Sequence, residues 1–268
     1  MPSRADLRLI AVAAADAAGE VILAGAGGPA AAETKAEGDY VTEVDRAAER
    51  AALRVLRDRT PEIAVLAEES GGSRDEELLW VVDPLDGTTN FVRRFPVVGV
   101  SVALLEAGRP VVGAVTAPFT GDVWTAAEGE GAVDVHGHPL RVSSRHSAQV
   151  VSTGFPFREP RERMWRYLPV MEGALRRFED LRRPGAASLD LAYAAAGTWD
   201  GFFELGLSIW DIAAGALLVR EAGGVVTDWR GDPIAVFESG DILAGSPQWH
   251  EAMLGIVVAA HMDPASGA

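Results

Sequence analysis

The chain has 268 residues, 48% of them hydrophobic, enough to bury a substantial core as one large unit or two closely packed subdomains. Its 24 Lys and Arg against 39 Asp and Glu leave a formal charge of −15, which opposes approach to nucleic-acid backbones and anionic membrane surfaces. It contains no cysteine, so disulfides, iron–sulfur clusters, thiolate zinc sites and a cysteine nucleophile are excluded, and any chemistry rests on oxygen and nitrogen groups.

Residues 6–23 carry apolar side chains at helical spacing (Leu9, Val12, Ala13, then Val21 and Ile22), and the Gly- and Pro-containing run at 25–29 stops the helix. Arg4, Asp6, Arg8, Asp16 and Glu20 interrupt this Ala- and Val-rich start, which leaves no continuous apolar span or signal-peptide core; a cytoplasmic protein is expected. A polar, mobile connection through Lys35 and Gly38 leads to an extended Asp39-Tyr40-Val41-Thr42, and residues 45–59 form a second helix with Pro61 just beyond it. Short apolar runs at 63–67, 78–82, 97–105, 110–115, 121–127 and 131–142, separated by Gly, Pro and charged turns, predict strands. The first half therefore reads as two helices against an antiparallel sheet. Beyond it, helices at 161–178, 189–196, 209–221 and 247–260 alternate with strands at 201–205, 225–227 and 242–244, an α/β layout. A boundary near 140–150 divides an α+β subdomain (1–145) from an α/β subdomain (146–268) within one catalytic unit.

The most informative stretch is Trp80-Val81-Val82-Asp83-Pro84-Leu85-Asp86-Gly87-Thr88-Thr89-Asn90-Phe91. An apolar strand ends at Asp83, Pro84 stops ladder pairing, and a turn through Gly87 can open a helix, so two carboxylates emerge at one strand end. Mg²⁺ takes oxygen ligands in octahedral array and keeps several waters, so a few carboxylates and a carbonyl suffice to hold it. The N–H groups of Gly87, Thr88 and Thr89 would cradle a phosphate if the turn opens a helix. Taken alone, Asp83 and Asp86 fit turn and capping duties equally well. Their company separates the accounts: Glu68-Glu69-Ser70 follows another apolar strand, and Asp211 follows Trp210 at the start of an apolar helix, so three elements each deliver acid at an end. His136-Gly137-His138 lacks a third ligand nearby and reads as a polar hairpin tip.

These blocks, in order and together with Gly38-Asp39-Tyr40-Val41-Thr42-Glu43-Val44-Asp45, Trp210-Asp211-Ile212-Ala213-Ala214-Gly215 and Glu221-Ala222-Gly223-Gly224, resemble the inositol monophosphatase family of magnesium-dependent, lithium-sensitive phosphatases, most closely its bacterial members. The resemblance implies a layered αβαβα sandwich of the inositol monophosphatase and fructose-1,6-bisphosphatase type. It implies one Mg²⁺ on Glu68, Asp83 and the Leu85 carbonyl, and a second on Asp83, Asp86 and Asp211, with a third ion open at Glu68. Asp45 and Thr88 would prepare the attacking water, with no covalent phosphoenzyme. Gly185, Ala187 and Glu204 fall where the family contacts polyol hydroxyls, Glu204 being the leading candidate for discriminating the leaving group. Asp200 also matches a family position, but its turn explains it. Ala67 departs from the glycine usual before the Glu pair.

The reading implied is hydrolysis of inositol monophosphate by a homodimer. Fructose 1,6-bisphosphate, 3′-phosphoadenosine 5′-phosphate, NADP and histidinol phosphate stand as alternative substrates on the same metal chemistry, and an accessory partner of transcription machinery stands as a non-enzymatic alternative.

Overall fold

The computed structural model describes residues 2–27, 32–36, 39–156 and 160–262. In chain order the first part runs α1 (Arg4–Gly25), β1 (Ala32–Ala36), β2 (Asp39–Thr42), α2 (Glu43–Arg59), β3 (Ala64–Ala67), β4 (Leu78–Asp86), α3 (Thr88–Val92), β5 (Gly99–Glu106), β6 (Arg109–Ala117), β7 (Asp122–Ala127) and β8 (Gly131–Asp134). The second runs β9 (Val150–Thr153), α4 (Pro160–Arg177), β10 (Asp180–Arg182), α5 (Ala187–Ala195), β11 (Gly201–Glu204), α6 (Ile209–Glu221), β12 (Val225–Thr227), α7 (Val236–Ser239), β13 (Ile242–Gly245) and α8 (Pro247–Met262).

Local chemistry sets the helix starts. Ser3 and Asp6 cap α1 reciprocally, the serine hydroxyl accepting the Asp6 N–H and the aspartate accepting the Ser3 N–H. Thr42 and Asp45 repeat the device on α2, so that helix begins at Glu43, two residues before the position its apolar spacing suggests. Leu7, Ile10, Ala14, Ala18 and Ile22 bury one stripe of α1 against the sheet, and the small side chains Ala48 and Ala52 let α2 lie close beside it.

The described strands make a six-stranded sheet in the order β3-β4-β5-β6-β7-β8 and a five-stranded sheet in the order β10-β9-β11-β13-β12. Helices α1 and α2 cover one face of the larger sheet, α5 and α6 lie between the two sheets, and α4 and α8 cover the far side. That is the five-layered αβαβα arrangement.

Three expectations need correction. The larger sheet is mixed, because β3 runs parallel to β4 while its other pairings are antiparallel. The polar stretch around Lys35 is strand β1, paired antiparallel to β2; Gly38 lies outside the described residues. The strand expected at 131–142 ends at Asp134, whose side-chain Oδ1 accepts the N–H groups of His136 and His138 and folds the segment into a tip. His138 Nδ1 pairs with Asp134 Oδ2 at 3.0 Å, a hairpin arrangement as the sequence suggests. No described helix is long and apolar enough to cross a membrane.

Candidate active site

The pairing of β4 with β5 slips where the chemistry lies: Asp83 faces Ser101 and Asp86 faces Gly99, so β4 carries one residue more than its partner across this span. Pro84, which has no N–H to give the ladder, permits this bulge. The Leu85 N–H turns back to Asp83 Oδ1 at 3.0 Å. Gly87 then adopts a left-handed backbone (φ 93°) where a Cβ would meet the Val97 carbonyl at 3.0 Å, so only glycine makes this entry into α3 without strain.

Other elements bring the remaining acids to this strand end. Ser101 Oγ, opposite Asp83, donates to the Trp210 carbonyl at 2.8 Å and seats the first turn of α6, which carries Asp211. Asp211 Oδ2 accepts the Ser208 N–H at 2.7 Å. Glu68 follows β3, its N–H donating to the Val82 carbonyl at 3.1 Å, one residue from Asp83. Ala67 ends β3 in ordinary strand conformation and exchanges backbone bonds with Gly71, so alanine is accommodated where the family favours glycine. Asp86 Oδ2 accepts both the N–H and the hydroxyl of Ser188, at 2.7 and 2.6 Å.

The electrostatic consequence falls on Asp83, which is 1% exposed. Burial holds its carboxyl well above the usual carboxylate range, and the charges of Glu68, Asp86 and Asp211 and a hydrogen bond with Glu68 push the same way. Three acids around one buried carboxylate offer oxygen donors and crowded negative charge, which fits a hard divalent cation. No three His, Asp or Glu side chains among the described residues converge as a closed ligand shell. Serine and backbone donors draw the aspartates to their own anchors, and the donor type and mutual repulsion are what match a cation.

On the opposite side of the same turn, Thr88 Oγ1 donates to Asp45 Oδ1 at 2.8 Å and lies 3.3 Å from the Leu85 carbonyl. Asp45 is buried, and its Oδ2 is already engaged by the Thr42 N–H at 2.8 Å and the Thr42 hydroxyl at 2.5 Å. Asn90 Nδ2 donates to the carbonyls of Val97 and Pro184, at 2.8 and 2.9 Å, which draws the Gly185 turn and Ala187 at the start of α5 against α3. Thr89 sits in the first turn of α3. Glu204 ends β11, and its carboxyl lies over the Cα of Gly154, where any Cβ would collide with it. Buried Asp190 faces Glu204, Asp86, Arg183 and Ser152; burial foremost, then the first two of these charges, raises its carboxyl well above the ordinary range, against the Ser152 hydroxyl and the Arg183 charge.

The sequence model of the inositol monophosphatase family matches residues 3–262. The chain belongs to that family. Among relatives of this inositol monophosphatase family member, Nus factor SuhB of Escherichia coli strain K12 is 43% identical over 251 residues, covering 91% of this chain and 93% of the relative. The solved structure of extragenic suppressor protein SuhB from Bartonella henselae superposes with a TM-score of 0.88 at 36% identity, covering 94% of this chain and 98% of that one. Inositol monophosphatase from Anabaena superposes at 0.82 with 35% identity, covering 95% and 96%.

Ser188 and Glu49 escaped the sequence reading, and Asp190 stood in it only as part of the stretch from Asp190 to Asp211 that resembles the bacterial members, with no role of its own. Ser188 stands one residue after the singled-out Ala187 and carried a usable signal, a hydroxyl immediately before the helix predicted at 189–196. Asp190 is the one acid in the buried run 186–195.

Crowding at Asp83 yields a stability prediction for this phosphatase-family chain. Because its folded-state pKa is raised, the stability it contributes is complete below the unfolded value of about 3.9 and is lost as pH rises toward the folded value. Asp83→Asn, neutral at every pH and still able to accept from Leu85, should melt about 2–6 °C above the parent in chelator at pH 8, with a smaller gain near pH 4. A lower melting temperature than the parent at pH 8 would contradict the crowding account.

Proposed function

We propose that the chain is a Mg²⁺-dependent phosphomonoesterase that hydrolyses inositol monophosphate to inositol and phosphate. The observation that carries this reading is the Thr88–Asp45 hydrogen bond at 2.8 Å beside the crowded carboxylates of β4, a proton acceptor next to a cation-seeking cluster. In this reading Glu68, Asp83 and the Leu85 carbonyl would hold one Mg²⁺, and Asp83, Asp86 and Asp211 would hold another. Magnesium, when bound, neutralises the phosphate and lowers the pKa of a water beside it.

Thr88 donates its hydrogen bond to Asp45, so its hydroxyl oxygen turns a lone pair to the water. As the water oxygen bonds to phosphorus, its proton passes to Thr88 Oγ1 while Thr88 passes its own to Asp45 Oδ1. Thr42 locks the other oxygen of Asp45, so the acceptor cannot swing away. The N–H groups of Gly87, Thr88 and Thr89 belong to the cap and first turn of α3, where the helical ladder gives them no acceptor, and they donate to the phosphate oxygens. The ester P–O bond breaks on the opposite side, and the departing alkoxide takes up a proton from solvent. Water is the nucleophile throughout, so no residue becomes phosphorylated.

Glu204, with Gly185 and Ala187, would receive the hydroxyls of the leaving group. Gly154→Ala should displace the Glu204 carboxylate and cut kcat/KM for a polyol phosphate about 10–100-fold, while a hydroxyl-free aryl phosphate changes less than about threefold. Equal losses on both substrates would remove Glu204 from the specificity wall. The reading as a whole is tested by phosphate release from inositol 1-phosphate, fructose 1,6-bisphosphate, 3′-phosphoadenosine 5′-phosphate, NADP and histidinol phosphate, with Mg²⁺ and with chelator. Preference for the nucleotide or histidinol substrates, or turnover that persists in chelator, would overturn it.

A second reading, an accessory role with the transcription machinery, is favoured by the 43% identity to a protein named Nus factor SuhB. The two readings are compatible in one chain.

A further inference from the structure

Glu49 is buried at 4% exposure, although it stands in a helix whose other glutamate, Glu43, and the arginines Arg50, Arg57 and Arg59 face outward. Its Oε2 accepts the backbone N–H of Glu69 at 2.8 Å and that of Ser70 at 3.3 Å. These two residues follow Glu68 in a five-residue loop that is closed on itself, the Ala67 and Gly71 backbones exchanging both bonds at 3.1 and 2.9 Å. The loop is thus gripped from two sides. The Val82 carbonyl of β4 holds the Glu68 N–H, and the Glu49 carboxylate of α2 holds the next two N–H groups. One turn earlier on the same face of α2 stands Asp45, the partner of Thr88.

We propose that Glu49 is a positioning residue for Glu68, and that the Asp45–Glu49 face of α2 is a common mount which keeps the Glu68 carboxylate in register with the Asp45–Thr88 pair. Two backbone N–H groups converging on one buried side-chain oxygen, at 2.8 and 3.3 Å, fix the loop in direction as well as distance. Glu49 touches the loop that carries Glu68 and neither Asp45 Oδ1 nor Thr88 Oγ1, so its effect falls on the hold on the metal. The proposal rests on the reading of Glu68 as a cation ligand.

The test is Mn²⁺ binding to the substrate-free protein, followed by the paramagnetic resonance of free Mn²⁺, alongside kcat at saturating Mg²⁺. Glu49→Ala should bind Mn²⁺ about 10–100-fold more weakly while kcat at saturating Mg²⁺ stays within about threefold of the parent. Glu49→Gln keeps an oxygen that accepts both N–H groups, and should bind within about threefold of the parent. Glu49→Asp withdraws the carboxylate by one methylene and should weaken binding by about threefold or more, which decides the matter if the alanine variant fails to fold. Parental affinity in the alanine or aspartate variant overturns the proposal. So does a glutamine variant as weak as the alanine one, since charge and not placement would then be responsible. Glu68→Gln serves as the control: if it binds Mn²⁺ like the parent, the assignment of Glu68 as a ligand fails, and the failure is separate from that of Glu49.

Discussion

Asp86→Asn and Asp211→Asn are each expected to lower Mg²⁺-dependent phosphate release by about a thousandfold or more, with the fold intact. Neither carboxylate is needed to build its surroundings. Asp86 accepts from Ser188 and Asp211 from the Ser208 N–H, and an asparagine carbonyl oxygen can accept the same bonds. What the substitution removes is one negative charge from a cluster whose members already repel one another around buried Asp83. The metal-free protein should therefore be no less stable, while the cation loses a charged ligand. Near-parental metal-dependent turnover in either variant would sink the site assignment. The same pair separates the two functional readings: if the chain also serves transcription as a scaffold, that activity survives both substitutions, and if the role depends on hydrolysis it disappears with it.

The chemistry legible in the sequence is the chemistry that is local in the sequence. Asp83-Pro84-Leu85-Asp86-Gly87-Thr88 compresses a bulge, a left-handed turn and a helix start into six consecutive residues, each with its own conformational signature. The elements around it were visible for a similar reason. Helix α6 and strand β12 have the ends that their apolar runs and the Gly223-Gly224 stop suggest. Polar strands were not visible. In β1, Ala-Glu-Thr-Lys-Ala has no apolar alternation, and its strand state comes from pairing with β2. Strand β9 is four residues long and its polar end, Ser152 and Thr153, is buried by tertiary contacts that no local pattern records. The supporting residues were hidden by distance. Ser188 reaches Asp86 across 102 positions, and Glu49 reaches the loop of Glu68 across 20 and 21. A glutamate on a helix is ordinarily a solvated residue, and only the loop packed against it makes this one a holder.

Asp45→Asn is expected to cut kcat by about 100–10,000-fold without weakening metal binding, because Asp45 takes the proton that Thr88 relays and holds no metal in this reading. Its two oxygens have separate duties, Oδ1 toward Thr88 and Oδ2 toward the Thr42 cap of α2. An amide has one acceptor for the two, so the variant should also lose about 1 kcal/mol of stability through the cap. Thr88→Val removes the hydroxyl and leaves the cap untouched. It should therefore show a comparable loss in kcat with the melting temperature of the parent, apart from the small effect of a β-branched isostere in the first turn of α3. If the two residues act as one relay, the double variant should be scarcely worse than the poorer single one, since a broken relay cannot be broken twice. Additive losses would mean that Asp45 and Thr88 act on different steps. Measuring Mn²⁺ affinity in the same variants closes the argument: substitutions at Asp45 and Thr88 should leave it unchanged where Glu49→Ala lowers it, which would divide the face of α2 into one residue that serves the water and one that serves the ligand.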